Sequence, residues 1–185
     1  MADFSNTRPT DRTRGTAGRR PAASLLETAL EAGKLPPQAP ELEQAVLGAL
    51  MLERNAVNEA IDILQPDSFY VEAHKKIFDV IKTLFGNDQP IDILTVTQEL
   101  KKRGELDIVG GPFYISQLTN KVASSANVQY HARIISQKHI LRELIRISAD
   151  TVRDAYDETT DVFDLLDRSE QEMYQITSGN LKRNY

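Results

Sequence analysis

The chain has 185 residues, 41% hydrophobic and 26% charged, which are ordinary values for a globular protein. It has no run of about 18 apolar residues that could cross a membrane, and no secretory signal. It also has no cysteine, which excludes disulfides and thiolate metal sites and fits a cytoplasmic protein. The net charge of −5 divides into +3 for residues 1–23, which hold five arginines, and −8 for the rest. Such an acidic body is unlike a duplex-DNA binder, which needs clustered Lys and Arg.

Residues 1–35 predict a disordered, Arg-rich arm with a short helix near 24–33. A capping box at Ser24-Leu25-Leu26-Glu27 opens this helix, and Gly33 followed by prolines ends it. The rest of the arm has little to bury, so we expect residues 1 to about 22 to be mobile. Its arginines leave a contact with nucleic acid open as an alternative.

Residues 36–123 predict a compact head of short helices, each with apolar residues at helical spacing and a Gly or Pro stop. The first helix begins at Pro40 and carries Leu42, Val46, Leu47 and Leu50, and the second covers Val57 to Leu64, before Pro66. The third runs from Ser68 to Phe85, with His74, Ile77, Phe78, Ile81 and Leu84 at helical spacing. The fourth has a capping box at Thr95-Val96-Thr97-Gln98 and runs through Lys102, and the fifth carries Tyr114, Ile115 and Leu118 after the turn Gly110-Gly111-Pro112. No strand alternation is long enough to indicate a β-strand.

Residues 124–178 predict a helical hairpin. From the N-cap Ser125 to about Asp157 there is neither Gly nor Pro, which predicts one helix of about 32 residues, roughly 48 Å long. A second helix repeats Val162, Leu165, Leu166, Ser169, Met173 and Ile176 in one arc. The four-residue link between the helices, Asp157-Glu158-Thr159-Thr160, implies that they run antiparallel. The predicted fold class is therefore all-α, a compact helical head followed by a long antiparallel helical hairpin.

The first hairpin helix has more apolar surface than its mate can cover. One stripe holds Tyr130, Ile134, Leu141, Ile145, Ser148, Ala149, Val152 and Tyr156, and the stripe beside it holds Ile140, Leu144, Ile147 and Ala155. Together they form an arc of about 200°, roughly twice what one neighbour needs. We therefore predict that Ile140, Leu144 and Ile147 mediate self-association. Packing of this stripe against the chain's own head is the alternative.

Sequence patterns for catalysis are missing. A phosphate-binding loop needs Gly-x4-Gly-Lys-Ser/Thr, and the Gly33-Lys34 pair lacks the upstream glycine. The three histidines, His74, His131 and His139, are too scattered to predict a metal site. We therefore expect no catalytic, cofactor-binding or metal-binding residue in this chain.

One segment supports a rival class, a DNA-binding regulator with a helix-turn-helix. Residues 95–104 could form one helix of such a motif, with Lys101, Lys102 and Arg103 reaching phosphates. These cations also lie in the last turn of the predicted helix, where they complement its dipole. The strand pair of a winged motif is not evident after them.

Five strings occur in order along the chain. They are Glu41-Leu42-Glu43-Gln44-Ala45-Val46-Leu47-Gly48; Asp67-Ser68-Phe69-Tyr70 with His74, Ile77 and Phe78; Pro90-Ile91-Asp92; Gly104-x-Leu106-x-x-x-Gly110-Gly111-x-x-Tyr114; and Ser125-Ala126-Asn127-x-x-Tyr130. In order and spacing they resemble the N-terminal domain of bacterial replicative DNA helicases of the DnaB type. The resemblance runs from about Pro36 to Ile176. The chain departs from the family in its longer N-terminal tail and in containing no RecA-like motor domain.

The resemblance implies a domain of the primosome that acts in DNA replication. In this family the hairpins pair between subunits, three such pairs form a collar on the hexamer, and the collar recruits primase; a helicase loader is a possible further partner. The residues that match the family's partner-facing region are Tyr114, Arg142 and Ile145, with ordinary helix packing as the alternative role. ATP, Mg²⁺ and most contacts with DNA are expected in the motor domain, to which residues 179–185 would begin the linker.

Overall fold

The computed structural model describes residues 34–122 and 126–181. Within these ranges the chain forms seven α-helices, one 3-10 turn and no strand, which confirms the all-α prediction. The elements are α1 (Pro40–Leu52), α2 (Arg54–Ile61), the 3-10 turn (Pro66–Ser68), α3 (Glu72–Gly86), α4 (Ile93–Lys102), α5 (Gly111–Asn120), α6 (Val128–Ala155) and α7 (Val162–Leu181). None of the described helices is long and apolar enough to span a membrane. The predicted arm up to residue 33, the predicted cap Ser125 and residues 182–185 lie outside the described residues.

The head is assembled around α1, which contacts α2, α3, α5 and α6. Its apolar side chains are buried with those of α3, α5 and the start of α6 in one core. Gly48 allows α1 and α5 to approach closely. A Cβ at that position would lie 2.1 Å from the carbonyl oxygen of Leu118 and 2.5 Å from Cγ2 of Val122. The absence of a side chain at residue 48 therefore sets the spacing of the two helices.

The helix predicted from Ser68 to Phe85 is too long at its N-terminal end. It begins at Glu72, and the chain before it forms the 3-10 turn and then an extended stretch through Val71. The backbone N–H groups of Tyr70 and Val71 donate to the carboxylate of Glu43 at 2.7 and 3.3 Å. The Glu43 side chain from α1 thus accepts the bonds that backbone carbonyls would accept in a helix. Because this contact joins residues far apart in the chain, no local sequence pattern predicts it.

Two other helix starts also differ from the prediction. The cap of α4 is Asp92 rather than Thr95, because the Asp92 carboxylate accepts from the backbone N–H groups of Leu94 and Thr95 at 2.8 and 2.9 Å. Thr95 returns a bond by accepting from the N–H of Asp92 at 3.0 Å, which completes a capping box one turn earlier than expected. The next difference is in α2, which begins at Arg54 and ends at Ile61, earlier than the predicted span at both ends.

Helices α6 and α7 form the predicted antiparallel hairpin. Arg146 pairs with Glu172 at 3.4 Å, Thr151 bonds Ser169 at 3.2 Å, and Asp154 pairs with Arg168, so that rising numbers on α6 meet falling numbers on α7. The first turns of α6 belong to the head, where Val128, Ala132 and Ile135 enter the core. The 28-residue helix α6 therefore connects the two parts of the fold, spanning about 42 Å.

Candidate functional site

The hairpin carries a broad apolar face that is exposed in the single chain. Its members are Tyr130, Leu141, Ile145 and Val152 on α6 with Tyr156 directly after it, and Val162, Phe163, Leu166, Met173 and Tyr174 on α7. At 100° per residue the α6 members fall within an arc of about 80°, so they form one stripe. We call these ten residues the open face. Chains that remain monomeric rarely expose apolar surface of this extent, which makes the open face a candidate interface.

The three residues predicted to mediate self-association lie next to the open face rather than on it. Ile147 is only 3% exposed, and Ile140 and Leu144 are half-buried. The reason is the direction from which α7 approaches, because it packs on the side of α6 that carries Thr151 and Asp154. Self-association through Ile140, Leu144 and Ile147 stays a prediction. Most of the exposed apolar surface belongs to the neighbouring stripe.

The predicted partner-binding residues occupy three different environments. Ile145 lies on the open face, with 47% of its surface exposed. Tyr114 is half-buried on α5, and its hydroxyl lies 2.7 Å from Nε2 of His74. Burial raises the pKa of the Tyr114 hydroxyl. Arg142 lies where the hairpin leaves the head.

Arg142 joins the hairpin to the head by its guanidinium group. It donates to the carbonyl oxygens of Pro37 and Ser68, both at 2.8 Å, and lies 5.7 Å from the centre of the Tyr70 ring. Burial lowers the pKa of Arg142. Arg142 and Tyr70 also border a groove of about 550 Å³ between the head and the hairpin. These contacts give Arg142 a defined role inside the chain.

Sequence reasoning missed a polar cluster in the middle of the head. Glu43 and His74 are almost completely buried, and Nδ1 of His74 lies 2.6 Å from the Glu43 carboxylate. One signal pointed to this cluster, because Glu43 precedes Val46, Leu47 and Leu50 at helical spacings of three, four and seven and therefore shares their buried face. A carboxylate on an apolar face needs partners, and His74 and two backbone N–H groups supply them.

The segment considered for a helix-turn-helix gives that interpretation no support. Arg103 folds back onto α3, where it bonds Asp79 and Thr83, both at 2.8 Å. Lys102 pairs with Glu99 at 3.6 Å. In residues 104–122 the chain continues through turns into α5 without forming strands. Lys102 and Arg103 of this segment thus form ion pairs within the head.

The described residues thus form a helical head joined to a hairpin that carries an open apolar face. The sequence model of the "DnaB-like helicase N terminal domain" family matches residues 35–137, and the chain belongs to this family. A curated relative from Rhodothermus marinus, "Replicative DNA helicase DnaB", is 46% identical over 168 residues, covering 91% of this chain and 18% of the relative. The chain thus spans less than a fifth of that relative's length.

Two solved structures share the fold. The N-terminal domain of the DnaB helicase from Mycobacterium tuberculosis is 36% identical, with a TM-score of 0.72, covering 76% of this chain and 99% of that one. A DnaB-like replicative helicase described with its interactions with primase is 22% identical, with a TM-score of 0.62, covering 75% of this chain and 31% of that one. The first match covers an isolated N-terminal domain almost completely, so the head and hairpin together correspond to that unit.

Proposed function

We propose that this chain is the oligomerisation and primase-docking domain of a replicative DNA helicase that works in the bacterial cytoplasm. The observation that carries the proposal is the open face of the hairpin, in a chain of the DnaB family. On this proposal, a motor domain elsewhere in the protein binds ATP and Mg²⁺ and performs strand translocation. A helicase loader is a further candidate partner of the same domain.

The open face fits a second copy of the chain. Large side chains such as Phe163 and Tyr174 are 76% and 70% exposed in the single chain. Burying a large apolar side chain contributes about 1.5–3 kcal/mol, so a few of them offset much of the loss of freedom on association. Pairing of two identical hairpins about a two-fold axis would bury part of this face on both chains at once, and residues left uncovered, such as Ile145, would remain for a partner. Three such pairs would give the hexamer that the family resemblance implies.

Sedimentation of the chain with and without a charge on the open face tests self-association. Val152→Asp places a carboxylate in the proposed contact, where an unpaired charge is expensive to bury. Gln175→Asp is the matched control, because Gln175 is exposed on α7 away from both apolar arcs. We expect the wild type and the control to associate and Val152→Asp to sediment as a folded monomer. Equal masses for Val152→Asp and the wild type would remove the open face as the interface.

Primase docking is supported by membership of the DnaB family and by the exposure of Ile145 in the single chain, and one structural neighbour has been described with its interactions with primase. Calorimetric titration of this chain with the primase of the same organism tests it. We expect binding that weakens at least tenfold in Ile145→Ala. Leu94→Ala, at an exposed position on α4, is the control and should bind like the wild type. A primase that shows no affinity for the associated wild-type chain would contradict the docking proposal and leave self-association standing.

A further inference from the structure

Besides the core packing of its first turns, α6 is joined to the head through one short segment, residues 68–71. Arg142 of α6 holds this segment from the hairpin side, through the carbonyl oxygen of Ser68 and the ring of Tyr70. It also donates to Pro37, just before α1 begins. A planar guanidinium with several fixed donors orients its partners more tightly than a Lys would. The angle of α6 against the head is therefore tied to the position of this segment.

The same segment is held from inside the head by Glu43. The carboxylate accepts from the backbone N–H of Tyr70 and of Val71, at 2.7 and 3.3 Å. The backbone N–H of Tyr70 thus donates to Glu43, and the ring of Tyr70 contacts the guanidinium of Arg142. Among the charges that act on Arg142, that of Glu43 most strongly raises the pKa of its guanidinium, against the larger lowering by burial. The two groups therefore interact across the segment that they both hold.

Glu43 is in turn fixed by a relay that reaches α5. Its third partner is Nδ1 of His74, at 2.6 Å, and Nε2 of His74 lies 2.7 Å from the hydroxyl of Tyr114. Nδ1 of His74 thus bonds the Glu43 carboxylate, and Nε2 of the same ring bonds the hydroxyl of Tyr114. Gln44 approaches the same hydroxyl at 3.5 Å. Because both sides of the His74 ring are engaged, the ring has little freedom to turn.

We propose that Tyr114, His74, Glu43, Tyr70 and Arg142 form one positioning network that sets the orientation of the hairpin on the head. Tyr114 and Arg142 are its two ends. A change at Tyr114 acts on the hairpin through His74 and Glu43, and so on any partner that binds there. Only this last step rests on the proposed function, and orientation is a property of the single chain.

A double-mutant cycle tests the connection between the two ends. Tyr114→Phe removes one hydroxyl, and Arg142→Lys keeps the charge but loses the guanidinium geometry. If the residues share a network, the equilibrium constant for urea unfolding of the double variant should differ at least threefold from the product of the single effects. The matched cycle pairs Tyr114→Phe with Arg146→Lys. Arg146 lies one turn further along α6 and its ion pairs are with Glu143, Asp150 and Glu172 of the hairpin. That cycle should be additive.

A distance measurement separates positioning from simple stabilisation. The chain has no cysteine, so spin labels can be placed at Glu59→Cys in the head and Gln175→Cys on the hairpin, both exposed. The labelled protein is diluted with unlabelled chain, so that distances within one chain are read. We expect Tyr114→Phe and Arg142→Lys to shift or broaden the distribution in the same direction, and Arg146→Lys to leave it unchanged.

Two results together would overturn the network: single effects on the unfolding constant that multiply to give the double variant, and an unaltered spin-label distance distribution in Tyr114→Phe. Neither readout needs primase, and unfolding is measured at low protein concentration, where association is minimal. A failed network therefore leaves the proposed function untouched, and a failed proposed function leaves the network testable.

Discussion

The carboxylate of Glu43 on α1 lies 2.6 Å from the imidazole of His74 on α3, and both side chains are at most 1% exposed. Burial of two such polar groups is expensive unless each finds hydrogen-bond partners. Among the described residues, every buried side-chain nitrogen and oxygen has a partner. The pair therefore links α1, α3 and the segment before α3 through hydrogen bonds.

Replacing Glu43 with Ala should destabilise the head by roughly 2–4 kcal/mol, because the N–H of Tyr70 and Nδ1 of His74 lose their acceptor inside the protein. Urea unfolding followed by circular dichroism measures the change. Glu41→Ala, two residues earlier at an exposed position, serves as the control and should stay within about 0.5 kcal/mol of the wild type. Equal losses of unfolding free energy in the two variants would show that the Glu43–His74 pair contributes no more than an ordinary helix residue.

Gly48→Ala should be strongly destabilising, by about 3 kcal/mol or more, because the new methyl group would overlap the backbone of α5 at Leu118. Gly86→Ala provides the opposite case. No atom lies within 4 Å of a Cβ built at Gly86, near the end of α3. Because Ala loses less backbone entropy on folding than Gly, that variant should be as stable as the wild type or more stable by up to about 1 kcal/mol. Thermal melting of both variants checks the pair, and a mild effect at Gly48 would mean that α1 and α5 separate easily.

Asp92→Ala should cost about 1 kcal/mol, since two backbone N–H groups of α4 lose their acceptor. Thr95→Ala should cost less, because it removes the bond that Thr95 accepts from the N–H of Asp92 and leaves the two main capping bonds in place. Chemical denaturation of both variants distinguishes the observed cap from the one predicted by sequence. A larger loss at Thr95 than at Asp92 would favour the sequence-based assignment.

Ile147→Ala should destabilise the single chain by about 2–4 kcal/mol, since Ile147 is buried on the side of α6 where Thr151 and Asp154 contact α7, and the substitution leaves a cavity. Val152→Ala, one turn further along on the open face, should change the unfolding free energy of the monomer by less than about 1 kcal/mol. Denaturation at low protein concentration, where association is minimal, measures both. A neutral Ile147→Ala would indicate that α7 does not cover this side of α6.

Local patterns in the sequence predicted the helices well where burial follows a simple period. The all-α class, the antiparallel hairpin and the turn at Gly110 and Gly111 all come from spacing and from residues with strong local preferences. Both glycines do adopt positive φ values, of 94° and 75°. These features depend on neighbours a few residues apart, which is why one sequence is enough to show them.

The features that the sequence did not show depend on contacts between distant residues. The helix predicted from Ser68 starts late because Glu43, on another helix, accepts from the backbone at Tyr70. The two apolar stripes of α6 were evident, but nothing local says from which side α7 approaches. That direction is set by the head and the connecting loop together. Tyr114 and Arg142 were predicted to bind a partner, with helix packing as the alternative. The structure gives each of them contacts within the chain, and partner binding by these residues stays a prediction.

The measurement that tests hairpin pairing most directly is cross-linking between chains. The protein has no cysteine, so Ser148→Cys places a single thiol on the exposed stripe of α6, between Ile145 and Val152, and Gln175→Cys places one on the polar side of α7. With a short bismaleimide at low micromolar concentration, pairing of the open faces predicts a covalent dimer from Ser148→Cys and little or none from Gln175→Cys. Equal yields from the two variants, or none from Ser148→Cys in a sample shown by sedimentation to be associated, would contradict pairing through this face.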